Sequence, residues 1–197
     1  MKNLMIRSLA LSVVFVAQAY AADYKVDPAH SSVGFEVRHL VSNVQGQFRD
    51  YEGTFTFDEK DLSKFKIKSS AKAASIDTAN AKRDEHLKSP DFFDAKKFST
   101  ITFVSNKLEK AGDSTFKATG DFTMHGVTKP VVFEVESMGE AKDPWGNTRR
   151  GFVAKAKINR KDFGIVWNKA LDSGGVMLGD DVKLMLNLEA TEEKAKK

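Results

Sequence analysis

Apolar side chains in this chain recur at every second residue, and the middle of the apolar face is repeatedly small. Val33, Phe35 and Val37 alternate with Gly34, Glu36 and Arg38, and Phe55 and Phe57 alternate with Thr54 and Thr56. Period two is the signature of a strand with one buried face. A third segment carries Phe65, Ile67, Ser69, Ala71, Ala73 and Ser75 on that face, with Lys64, Lys66, Lys68 and Lys72 opposite. Phe116, Ala118, Gly120, Phe122 and Met124 repeat the scheme, as do Phe152, Ala154, Ala156 and Ile158. A face that is large at its ends and small between has two readings. It encloses space for an apolar ligand in a barrel or sandwich, or it seats large side chains from the opposite wall, as small barrels do to fit their taper.

The N-terminus reads as an export signal. Lys2 and Arg7 form a positive n-region, residues 9–17 an apolar run, and Ala19-Tyr20-Ala21 a small-residue cleavage site, so cleavage is expected between Ala21 and Ala22. The run is too short for the about 20 residues that span a bilayer. The chain has no cysteine. An exported domain without disulfides must bury enough apolar surface by itself, and about 175 residues suffice for that. The expected organisation is therefore a leader over 1–21 and one domain over 22–197. Losing Lys2 and Arg7 takes the formal charge from +4 to +2. The remaining lysines are interspersed with Asp and Glu, and no basic cluster interleaved with exposed aromatics marks a nucleic-acid surface.

The pattern predicts an all-β chain of about eight strands: 24–26 running on through 32–39, then 47–57, 65–76, 100–107, 115–123, 131–137, 151–159 and 182–189. Hairpin-length joints at 58–61, 110–113 and 124–126 make this an antiparallel meander. Two segments break it. Residues 79–89 are good helix formers, with Asp77 or Thr78 as cap and Pro90 as stop. Residues 161–181 form a long loop carrying Phe163, Ile165, Trp167, Leu171, Val176, Met177 and Leu178, either a plug or a ligand gate.

Several stretches carry a family resemblance. Ser75-Ile76-Asp77-Thr78 and Arg83-Asp84-Glu85-His86-Leu87-Lys88-Ser89-Pro90-Asp91-Phe92-Phe93-Asp94 resemble the YceI-like family of polyisoprenoid-binding proteins. Tyr24-Lys25-Val26-Asp27 with His30-Ser31, Gly53-Thr54-Phe55-Thr56-Phe57-Asp58 and Gly120-Asp121-Phe122-Thr123-Met124-His125-Gly126 are similar in order and spacing. So are Asp143-Pro144-Trp145-Gly146 and Lys161-Asp162-Phe163. The resemblance implies a periplasmic, lipocalin-like antiparallel barrel whose channel holds a polyisoprenoid tail, of an isoprenoid lipid or a quinone. The loop at 161–181, with Trp167 and Gly174-Gly175, does not map onto the family pattern.

By strand parity, the lining is expected to comprise Phe35, Val37, Phe55, Phe57, Ile67, Ala71, Ala73, Phe103, Ala118, Phe122, Phe133, Ala154, Ala156 and Leu186. Arg83, His86, Lys88 and Trp167 are the candidates for a head-group or mouth site, Arg83 or Lys88 meeting a phosphate by charge-assisted hydrogen bonds. The competing reading of that cluster is a helix laced by Asp84–Lys88 and by Lys82 with His86 or Glu85. No spacing among His30, His39, His86 and His125 announces a metal site, and turn or cap hydrogen bonds are the commoner fate of such residues. No serine sits in a nucleophile elbow, and Ser173 beside Gly174 reads as a turn residue. Glu134 with Glu136, and Asp180 with Asp181, read as solvated charges. The expectation is thus a non-enzymatic periplasmic binding protein, with no catalytic residue, metal or cofactor beyond the bound lipid, and with transient contact with a membrane surface. The alternatives are a periplasmic enzyme acting on an isoprenoid through His30, His86 or His125, and an outer-membrane barrel.

Overall fold

The computed structural model describes residues 21–171 and 175–193. Residues 1–20, which carry most of the expected leader, the Asp172-Ser173-Gly174 stretch and the last four residues lie outside them. The described chain forms strands β1 (Ala22–Val26), β2 (Ser32–His39), β3 (Ser42–Phe48), β4 (Tyr51–Phe57), β5 (Lys66–Lys72), β6 (Ile76–Asp77) and β7 (Thr100–Lys110). It continues with β8 (Thr115–Met124), β9 (Val127–Lys142), β10 (Thr148–Asn159) and β11 (Leu178–Glu192). One helix, α1 (Ala81–Lys88), lies between β6 and β7.

All pairings are antiparallel and the sheet closes on itself. β11 pairs with β2 over its first part, Leu186 opposite Val33, and with β1 over its last part, Ala190 opposite Val26. β1 and β2 are therefore one stave of the barrel, broken where Pro28, which has no N–H to give a ladder, opens a 3-10 turn capped by Asp27. β3 and β4 form a second stave, and β5 and β6 a third, broken by the 3-10 turn Ala73–Ser75. With β7 to β11 this makes the expected eight staves in meander order. The second stave begins at Ser42 rather than at 47, and the last at Leu178 rather than at 182, where a bulge lets Leu178 reach His39.

The apolar face points inward. Lys66, Lys68, Lys117, Glu134, Glu136, Lys155 and Lys183 project from the outer face into solvent. An outer-membrane barrel needs the reverse arrangement, an apolar band outside.

The meander sends its connections alternately to two ends. One end holds the β4–β5, β7–β8 and β9–β10 turns, and rings fill it. Tyr24 stacks on Phe55 at 5.2 Å, Phe57 meets Phe116 and Phe152 edge-on, and the Arg150 guanidinium lies 5.0 Å over the Phe57 ring. The other end holds the β2–β3 turn, the segment with α1, the β8–β9 turn and the loop before β11. In the β8–β9 turn both His125 and Gly126 have positive φ, the geometry that matches hairpin twist.

Candidate functional site

Inside the barrel lies a cavity of about 270 Å³ with almost wholly apolar walls. It exceeds the roughly 150 Å³ apolar cavity that stays dry and takes up benzene in another protein. Every stave contributes to its wall. Phe35, Val37, Phe55, Phe57, Ile67, Ala71, Phe103, Ala118, Phe122, Phe133, Ala154 and Leu186 line it. Ala73 and Ala156, expected beside them, do not. The chain leaves the sheet after Lys72, so parity no longer governs Ala73, which sits buried in the 3-10 turn with its N–H on Ser99 O. Ala156 packs against the core, and its cross-strand partner Leu184 forms the wall at that level. Gly120 also stays off the wall, because the Val104 carbonyl approaches so closely that a Cβ would collide with it.

Of the four mouth candidates, only Arg83 reaches the cavity. The cap of α1 is Asn80, not Asp77 or Thr78: the Asn80 side chain accepts the Arg83 N–H at 3.0 Å. Arg83 then turns back, donating Nε to Thr78 Oγ1 at 2.7 Å and Nη2 to Thr78 O at 2.8 Å. The expected Asp84–Lys88 and Lys82–His86 or Lys82–Glu85 pairs are replaced. Asp84 accepts from the Thr78 N–H and hydroxyl, Lys88 pairs with Glu85, and His86 meets Asp91 at 2.8 Å. Trp167 does not line the cavity. It packs instead on the rings of His86 and Phe92, each at 5.1 Å, and so ties the loop before β11 to the helical segment.

That loop is organised by a residue the sequence did not single out. Arg160, 3% exposed, donates Nη1 to Ile165 O and Trp167 O, Nε to Gly179 O and Nη2 to Asp180. Burial pulls its guanidinium below the ordinary value, with Asp180 opposing. Asn168 adds a second staple, giving its side-chain N–H to Leu178 O and accepting the Leu178 N–H. Ile165 and Leu178 are thereby held as walls of the cavity. Asp180 is consequently an ion-pair partner of Arg160 and Lys161 rather than a solvated charge, and Asp181 pairs with Lys157.

Three histidines carry structural hydrogen bonds: His30 to Asp27, His86 to Asp91 and His125 to Phe163 O. His39 lines the mouth side of the cavity. Asp27, His30 and Glu189 bring ligand atoms within 4.8 Å of one another. That space already holds a cation, since Arg149 donates to Asp27 at 2.6 Å and to Glu189 at 2.8 Å while its Nε meets Asp143 at 3.2 Å. Arg149, then His30, hold the Asp27 carboxyl down at about 2, and Asn147, with Arg149 and turn N–H groups, holds Asp143 at about 2.

A family model described as the YceI-like domain matches residues 24–190, nearly the whole described chain. The chain belongs to the YceI-like family. One YceI-like relative, protein YceI of Salmonella arizonae, is 40% identical over 196 residues, covering 98% of this chain and 99% of its own. The crystal structure of the Campylobacter jejuni YceI protein superposes with a TM-score of 0.69 at 39% identity, covering 85% of this chain and 96% of that one. A domain from Saccharophagus degradans, described as polyisoprenoid binding, shares the fold with a TM-score of 0.63 at 13% identity, covering 88% of this chain and 100% of its own.

Proposed function

We propose that this YceI-like chain is a periplasmic binding protein that holds the tail of an isoprenoid lipid or quinone inside its barrel, without covalent chemistry. One observation carries the reading: a closed barrel surrounds a cavity of about 270 Å³ with apolar walls from every stave. A tail entering it leaves water at a gain of about 0.8 kcal/mol per buried methylene. The leader pattern before Ala22 supports export, and the Saccharophagus relative of this fold, described as polyisoprenoid binding, supports the ligand class. Arg83, the one cation of the α1 segment on the cavity wall, is the candidate contact for an electronegative head group. A tail larger than this volume binds by displacing rings at the end that Tyr24, Phe57, Phe116 and Phe152 fill. Affinity is expected to rise from geraniol to farnesol to geranylgeraniol.

The test is native mass spectrometry of protein purified from the periplasm, followed by organic extraction of what it retains. Ala71→Phe and Ala154→Phe place a ring in the cavity. They are expected to abolish lipid retention with the thermal transition nearly unchanged. Equal lipid content in both variants and the wild type would refute the reading.

A further inference from the structure

The two ends of the cavity differ: buried rings line one and partly exposed side chains the other. At the aromatic end its wall residues Phe57, Phe65 and Phe116 are buried, and Arg150 lies over the Phe57 ring. At the opposite end His39, Arg83, Leu87, Phe93 and Leu178 line it and are themselves partly or largely exposed.

Two of the connections at this second end hold large aliphatic side chains out in water. The β2–β3 turn presents Leu40 and Val41, the latter 95% exposed, and the loop before β11 presents Val166 at 64% and Val176 at 55%. The two connections are joined, since Leu40 donates its N–H to Met177 O at 2.9 Å and Leu178 pairs with His39. The exposed side chains neighbour the cavity wall along the chain: Val166 follows the wall residue Ile165, and Val176 lies two residues before the wall residue Leu178. Leu40 has φ of 51°, a left-handed conformation that is unfavourable for a bulky side chain. Strain of this kind persists where the surrounding structure imposes it, and it gathers at functional positions.

Resting on the tail-binding reading above, we propose that this rim docks on the surface of a phospholipid bilayer and seats the cavity mouth against it while a tail passes across. A bilayer fits better than a protein partner because the four tips are aliphatic and lack the Trp, Tyr or Arg anchors that dominate protein interfaces. Hydrocarbon is also where such a tail resides. The exposed Arg38, one residue before the end of β2, and the exposed Lys169, on the loop before β11, supply positive charge for lipid phosphates. Contact through aliphatic tips depends less on salt than contact through charge.

The experiment uses the mature chain with vesicles of phosphatidylcholine, alone or mixed with phosphatidylglycerol, and follows flotation and transfer of a pyrene-labelled isoprenoid lipid out of the vesicles. Farnesol, titrated without vesicles, reports the cavity separately. Wild-type protein is expected to float with both vesicle types in low and high salt. Val41→Asp combined with Val166→Asp is expected to slow transfer by about tenfold or more, since two apolar tips no longer leave water. Its farnesol affinity and thermal transition are expected to stay unchanged. Val132→Asp, at an exposed valine on the barrel wall, is expected to change neither flotation nor transfer. Unchanged transfer in the double variant, or wild-type protein that binds farnesol but does not float, would overturn the docking proposal. Failure of wild-type protein to bind farnesol would overturn the carrier reading instead, and this proposal with it.

Discussion

Arg149 gathers Asp27, Glu189 and Asp143 from the first stave, the last stave and the β9–β10 turn, so one guanidinium spans the place where the barrel closes. Because Asp27 and Asp143 are held near 2 against an ordinary 3.8, their stabilisation is complete above about pH 4 and is lost as pH falls through 2. Thermal denaturation followed from pH 5 to pH 2 is expected to show a falling Tm in the wild type and a flatter profile in Arg149→Met. Arg160 carries a larger burden. Removing it leaves the carbonyls of Ile165, Trp167 and Gly179 without their donor, and Arg160→Ala is expected to cost about 3 kcal/mol in urea denaturation. The small residues on the apolar face have three separate causes. Ala71, Ala118 and Ala154 leave room in the cavity, Gly120 yields to the Val104 carbonyl, and Gly46 leaves space for the Phe35 ring, which a Cβ would strike. Alternation alone cannot tell these apart, because each leaves the same small residue at the same parity.

The staves were legible wherever period two ran unbroken, which is why parity placed Phe55, Phe103, Phe133 and Leu186 on the cavity wall. Legibility ended where the chain left the sheet, as at Ala73, and where a segment's order comes from distant backbone. Arg160 binds carbonyls five, seven and nineteen residues further on, a set with no period to detect. The loop before β11 read as plug or gate for the same reason, its apolar residues losing regular spacing after Trp167. In the fold it is fastened at one side by Arg160 and Asn168, and at the other by Trp167 against His86 and Phe92. Trp167→Ala removes two ring contacts, each worth about 0.5–1.5 kcal/mol. Hydrogen exchange is expected to speed up by about tenfold or more over residues 164–171, leaving β7 to β10 protected. Equal protection there in variant and wild type would mean that the Arg160 and Asn168 staples alone fasten the loop.

At the scale of the molecule, closure depends on the two ends of the chain. Tyr24 lies opposite Glu192, and the first stave is held on one side by β3 and β4 and on the other by β11. Deleting residues 178–192 is expected to leave an open sheet that binds no farnesol and melts without a cooperative transition. Pairings this far apart in sequence are slow to form, since the intervening chain must be brought to closure first. The cavity is thus the last thing the chain makes. While the polypeptide emerges residue by residue, seven staves can lie side by side and still enclose nothing. Only when the final strand is free to find the first does the molecule acquire an inside, so its capacity to bind begins at a single moment, when β11 meets β1 and β2.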